Sequence, residues 1–171
     1  MQAPARLTPT SFIVLGLIEQ VGVATPYQLK RMVGLSVGYF WSLQHAQLYS
    51  EPERLAAAGY LDVEREDSGR RRKRYSLTRR GREALDAWRA EPAAQPAEMR
   101  EPALLKLFFG ADPEPLAEAQ LPAHRERLAE YERISERIRD SATEGNRLAL
   151  EAGIRHEREW IRYWEDLAKR G

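Results

Sequence analysis

The apolar positions along the N-terminal half change period, and each change predicts an element. Phe12, Leu15, Ile18 and Val21 recur at three-residue steps behind Thr8-Pro9, a side-chain cap followed by proline at the first helical position, and predict a first helix. Thr25-Pro26-Tyr27-Gln28 repeats the device with the Thr-x-x-Gln pair of a capping box, so Leu29, Met32 and Val33 become the buried stripe of a short second helix ending near Gly34. A third helix is expected from about Ser42 to Ala58, with Leu48 and Leu55 on its inner face and Gly59 just past its end. Pro52 lies inside it. A proline there removes an amide donor and crowds the preceding turn at about 3 kcal/mol, so a kink or restart is expected at Ser50 to Pro52.

The period then drops to two. Leu61 and Val63 alternate with Asp62 and Glu64, Tyr75 and Leu77 alternate with Arg74 and Ser76, and Asp67-Ser68-Gly69-Arg70 between them is turn chemistry. These features predict an antiparallel hairpin of two strands, residues 60–66 and 72–77. Thr78 then caps a fourth helix carrying Leu85 and Trp88. Residues 90–97 hold two prolines and no large apolar side chain and read as linker. The expected division is a first domain over 1–90, a linker over 91–102 and a second domain over 103–171.

The second domain is helical throughout. Leu104, Leu105, Leu107, Phe108 and Phe109 form a helix too apolar to stand alone, stopped by Gly110, and Asp112-Pro113 starts the next one. Leu128, Tyr131, Ile134, Ile138 and Ala142 recur every three or four residues, as do Leu150, Ile154, Ile161, Trp164 and Ala168, and predict two long amphipathic helices. A domain of about 70 residues has little else to cover two such stripes, so the expected partner is a second copy of the chain. Leu104, Leu107, Phe108, Leu128, Tyr131, Ile134, Ile138, Ile154, Ile161 and Trp164 are the expected dimerisation residues. The alternative is an intramolecular helical hairpin that caps the first domain.

Composition removes whole classes of function. The 171 residues contain no cysteine, so disulfide frameworks, thiolate zinc sites and thiol nucleophiles are excluded. His45, His124 and His156 lie far apart with no metal-ligand spacing and no obvious partners, the carboxylates fall on solvated helix faces, and no phosphate-cradling glycine loop is present. No enzyme is expected, and no cofactor. The longest apolar run, Phe12 to Ile18, is far short of the roughly 20 residues a membrane span needs, and the start of the chain lacks a signal-peptide layout. A cytoplasmic protein without membrane contact is expected.

Net charge is +1 with a pI near 8.0, which by itself argues against a nucleic-acid binder. Division at the linker reverses that inference. Residues 1–90 hold 14 Lys and Arg against 9 Asp and Glu, a balance of +5; residues 91–171 hold 13 against 17, a balance of −4. Arg70-Arg71-Arg72-Lys73-Arg74 form the hairpin's tip and return strand, Arg79, Arg80 and Arg82 follow, and no acid lies between 68 and 82. Three helices followed by a basic hairpin is the order of a winged helix-turn-helix, in which helix 2 sits over the phosphate backbone, helix 3 enters the major groove and the wing lies along the next groove. The cationic run suits phosphates and a narrow minor groove. In the expected third helix the face opposite Leu48 carries Ser42, Ala46, Tyr49 and Ser50, flanked by Gln44, His45 and Gln47. Gln pairs with adenine, Ser with a base edge or phosphate, and Tyr with phosphate. The bland alternative is a solvated hairpin whose charges protect a strand edge, on a helical protein–protein interaction module.

Residues 44 to 82 carry Gln47-Leu48-Tyr49, then Arg54-Leu55 leading to Gly59-Tyr60-Leu61, then Lys73-Arg74-Tyr75-Ser76-Leu77-Thr78 ending at Gly81. With Leu15-Gly16-Leu17, Tyr27-Gln28-Leu29 and Phe40-Trp41, these elements make residues 7 to 90 resemble the PadR family of transcriptional regulators. Pro52 departs from the leucine commoner there. Pro102 to Gly110 looks like the opening of the helical C-terminal domain of the longer members. The resemblance implies a mainly α winged helix-turn-helix domain with a two-stranded wing and a helical C-terminal dimerisation domain. It implies a homodimeric repressor, or an activator, on double-stranded, near-palindromic DNA. In some members a small, often aromatic, effector releases the DNA. The expected DNA-binding residues are Tyr27, Ser42, Gln44, His45, Gln47, Tyr49, Arg70, Arg71, Arg72 and Lys73. Trp41, Trp88, Trp160 and Trp164 are candidates for an aromatic-accepting pocket, Trp88 first among them, although tryptophans at helical spacing are more often core.

Overall fold

A computed structural model describes residues 6–65, 72–94, 96 and 98–169. The chain forms two compact units, Met1–Gln95 and Pro96–Gly171.

The first unit runs α1 (Pro9–Val21), β1 (Val23–Ala24), α2 (Pro26–Gly34), a 3₁₀ turn (Val37–Tyr39), α3 (Gln47–Ala57), β2 (Leu61–Arg65), β3 (Lys73–Leu77) and α4 (Arg79–Ala90). The caps set the helix starts as the local chemistry requires. Thr8 closes a reciprocal box with Ser11, Thr25 with Gln28, and Thr78 accepts from the Gly81 amide. Val14, Leu15 and Ile18 of α1, Leu29 of α2, Leu48 and Leu55 of α3, Leu61 of β2, Tyr75 and Leu77 of β3 and Leu85 of α4 share one core. One polar cluster joins α1 to α3. The fully buried Ser11 hydroxyl donates to Glu51 Oε1 (2.6 Å) and accepts from Arg54 Nη2 (3.0 Å), while Arg54 grips both Glu51 oxygens. Gly81 is required by close approach: a Cβ there would lie 2.2 Å from the Tyr60 carbonyl oxygen.

The structure departs from the sequence expectations for this unit at several points. The sheet has three strands in the order β1-β3-β2, because Val23 and Ala24 pair antiparallel with Ser76 and Tyr75. Val21 is exposed at the end of α1, and Val63 faces solvent although it alternates with Asp62, because β2 leaves the core after Leu61. The third helix begins at Gln47, not Ser42. The chain enters through a turn in which the carbonyls of Gln44, His45 and Ala46 accept from Gln47, Leu48 and Tyr49 (3.0–3.2 Å), and no side chain caps it. Finally, of the kink or restart expected at Ser50 to Pro52, the restart does not occur: α3 continues through Pro52, with the ring itself buried.

The second unit contains α5 (Pro102–Phe108), α6 (Pro113–Ile138) and α7 (Glu144–Ala168), capped by Glu101, Asp112 and Thr143. The two long helices run antiparallel, pairing Arg125 with Glu165 (2.7 Å) and Glu132 with Arg158 (2.8 Å). Trp164 is buried with Ala103 and Ala117, and Leu104, Leu107, Trp160 and Leu167 pack around them. Gly153 lets the Tyr131 ring lie flat on α7; a Cβ would fall 3.0 Å from Cε2. Of the expected dimerisation residues, Tyr131, Ile134 and Trp164 are therefore already buried within this unit. Leu104, Leu107, Leu128, Ile138, Ile154 and Ile161 are half-buried and Phe108 is 83% exposed. A hairpin gives each helix one partner face, which accounts for the first group; the second group lies at its margins.

Candidate nucleic-acid interface

One groove of the first unit, about 490 Å³, is formed where the first turns of α2 and α3 meet the start of β3. Each element arrives for a local reason. The box at Thr25 starts α2 at Pro26 and sets Tyr27 on its first turn; the turn at His45 and Ala46 starts α3 and sets Tyr49 on its exposed side; the β2–β3 register, Arg65 opposite Lys73, extends β3 past the core. Tyr27, Tyr49, Arg72 and Lys73 thus line one surface. Lys73 Nζ is ion-paired with Glu53 of α3, and Arg72 is exposed. The Tyr75 ring closes the floor, and its buried hydroxyl has no hydrogen-bond partner among the described residues. Burial pushes the Tyr75 pKa above the ordinary phenol value, with the Glu53 charge adding to it against Lys73 and Arg65.

The remaining expected contact residues are less gathered. Ser42 and Gln44 lie in irregular chain ahead of α3, His45 in the entering turn and Gln47 at the first helical position, all exposed and none in the groove. Arg70 and Arg71 lie outside the described residues. Arg80 and Arg82, counted with the basic patch from the sequence, are exposed and also bond to the fold's own carbonyls. Arg80 donates to the Ala58 carbonyl (3.0 Å) with its guanidinium over the Tyr60 ring, and Arg82 donates to the Leu77 carbonyl (3.0 Å). Arg79 faces Glu83 at 3.5 Å. Trp88 stacks on Phe12 (centroids 4.7 Å apart, 8° between planes) and keeps about half its surface exposed.

Sequence reading missed Glu53 and the floor position of Tyr75, whose only signal was a place in an alternating strand. In the second unit it missed a buried pair: His124 Nδ1 lies 2.6 Å from Glu157 Oε2, with Glu157 almost wholly buried. The His124 ring stacks on Trp160, which stacks in turn on Trp164. This corrects both the histidine without partners and the carboxylates confined to solvated faces. Among the described residues no His, Asp or Glu cluster is arranged to hold a metal, and no helix is long and apolar enough to cross a membrane.

Three helices, a small antiparallel sheet with a two-stranded wing, and a basic groove between the second and third helices define a winged helix-turn-helix protein with a helical C-terminal unit. Residues 14–87 match the family described as "Transcriptional regulator PadR-like family", and residues 99–170 match "Virulence activator alpha C-term". Over residues 14–87 the chain is similar to the PadR-like family of transcriptional regulators. It is 23% identical to the negative transcriptional regulator PadR of Bacillus subtilis (strain 168), over 91% of this chain and 93% of that one. The crystal structure of Bacillus subtilis PadR in complex with operator DNA superposes with a TM-score of 0.84 at 22% identity, covering 97% of this chain and 99% of that chain. The structure of the same protein in complex with p-coumaric acid gives a TM-score of 0.78 at 22% identity, with 95% and 97% covered.

Proposed function

We propose that this regulator is a cytoplasmic, homodimeric repressor that binds a near-palindromic DNA operator. The observation that carries the reading is the meeting of Tyr27, Tyr49, Arg72 and Lys73 at one groove, because it joins the phosphate-facing helix, the groove-reading helix and the wing on one surface. In this reading Ser42, Gln44, His45 and Gln47 flank the entry of α3 and contact bases or phosphates beside Tyr49. Arg70, Arg71, Arg72 and Lys73 neutralise phosphates along the wing. The first domain, 1–90, reads DNA and the second, 103–171, assembles the dimer. The half-buried Leu104, Leu107, Leu128, Ile138, Ile154 and Ile161, with the exposed Phe108, meet a second copy, while Tyr131, Ile134 and Trp164 support that face from beneath. A small aromatic effector, of the class named for the Bacillus subtilis relative, stacks against the open half of Trp88 and weakens DNA binding.

Titration of duplex DNA at rising salt tests this reading. Affinity falls linearly on a log–log plot, and Arg71→Ala reduces the slope by about 1. A two-fold dimer brings its two copies of Tyr49 to about 34 Å, one helical repeat. Absence of salt-dependent binding to any operator-length duplex, or a monomer by light scattering, overturns it.

A further inference from the structure

We infer that the groove between α2, α3 and β3 is a seat for one sugar–phosphate unit of duplex DNA, and that Glu53 blocks it in the free protein by holding Lys73. The inference rests on the DNA-binding reading and goes beyond it by assigning a ligand group to the groove and a competitor within the chain. The donors it requires are in place and unspent. The Tyr75 side chain lines the groove, and its buried hydroxyl has no partner among the described residues, a costly condition that a phosphate oxygen seated deep in the groove relieves by accepting its hydrogen. At the N-terminus of α2, Pro26 has no amide hydrogen and Thr25 takes the Gln28 amide, so the Tyr27 amide is the first-turn donor left for an anion. The exposed rings of Tyr27 and Tyr49 give apolar walls of the kind a deoxyribose packs against.

Glu53 is the one acid among the described residues lining this groove, and its carboxylate holds the Lys73 ammonium. A phosphate therefore meets one fixed negative charge and finds one of its two cations already neutralised; Arg72 makes no ion pair among the described residues. Both partners of the Glu53–Lys73 pair are substantially solvent-exposed, so the pair opens without disturbing the core. The result is a restraint on binding to any duplex, since phosphate contacts carry no sequence information.

The test is fluorescence anisotropy of the full-length protein on a random-sequence duplex of about 30 base pairs, three helical turns. Between about 50 and 200 mM salt, Glu53→Gln binds roughly fivefold tighter than wild type at the low end, with a log–log slope steeper by about 0.9. Adding Lys73→Gln removes both gains. Tyr75→Phe weakens binding about threefold at an unchanged slope, because the hydroxyl carries no charge. The inference is overturned by a Glu53→Gln protein that binds as wild type does, by a gain that survives loss of Lys73, or by full affinity in Tyr75→Phe. A wild-type protein with no salt-dependent binding overturns the DNA-binding reading as well, which separates the two failures.

Discussion

The winged unit and the helical unit bury their apolar surface in different ways. In the winged unit the helices cover one face of a short sheet, on which Tyr75 and Leu77 are buried while Arg74 is exposed, and all four helices and the strands β2 and β3 send at least one large side chain into a single core. Its charged pair where α3 meets α1, Glu51 with Arg54, bonds through both Glu51 oxygens and includes the buried Ser11 hydroxyl. The helical unit is a two-helix hairpin with a short third helix against one end. Its core centres on Trp164, whose indole nitrogen and the His124 Nε2 are buried without partners among the described residues, while Phe108 and Phe109 form an edge-to-face pair in solvent. A sheet whose inner face is covered by helices completes one core, whereas a hairpin leaves both flanks of each helix open. The same density of apolar residues thus makes a self-sufficient core in one unit and an unfinished surface in the other.

The largest effect should come from removing the single anchor of the helical unit. Trp164→Ala costs about 4 kcal/mol, read as a lowered urea midpoint for that unit, while the winged unit keeps its own. Equal loss in both units would break the comparison. Gly81→Ala is the counterpart in the winged unit: the added Cβ meets the Tyr60 carbonyl and destabilises by about 3 kcal/mol in the same assay. Next comes the buried pair, where Glu157→Ala leaves His124 without its acceptor and costs about 2 kcal/mol by thermal unfolding.

A smaller effect is confined to acid. Burial penalises the Glu51 carboxylate, but hydrogen bonds from Arg54 and Ser11 and the Arg54 charge outweigh that and hold its pKa below the ordinary carboxylate value. The unfolded chain therefore binds the proton more readily. The Glu51 contribution is complete above the unfolded pKa and is lost as pH falls through the folded one, so the wild-type urea midpoint falls with acid there and Glu51→Gln removes that part of the fall. The smallest effect on stability belongs to Phe108→Ser with Phe109→Ser, within about 0.5 kcal/mol for the chain itself, since both rings are exposed. The double variant should nonetheless shift self-association toward monomer by sedimentation; unchanged association would leave the exposed pair without a role in assembly.

Most of the architecture was legible because the signals were local. Thr8, Thr25 and Thr78 begin helices through bonds to amides three residues on, and Leu48, Leu55, Tyr75 and Leu77 take their inward positions from period alone. The errors fall where geometry is set from elsewhere. Ser42 has cap chemistry, but the backbone enters α3 through a turn five residues later. β1 is two residues long and exists because β3 offers it an edge, and Val63 alternates correctly on a strand that has already left the core. Arg80 and Arg82 look like their neighbours in a basic run, and their added bonds to the carbonyls at the ends of α3 and β3 have no local signal.

The sequence by itself determined the helices, the hairpin, the residues of the winged core and the split of a near-neutral chain into a basic half and an acidic half, because capping, periodicity and charge are properties of neighbours along the backbone. Only the tertiary structure decided which of those residues meet. Glu53 and Lys73 are 20 positions apart, His124 and Glu157 are 33 apart, and Tyr27 and Tyr49 stand on different helices. Each group depends on how packed elements are placed against one another, and one sequence carries no record of that placement until the core fixes it.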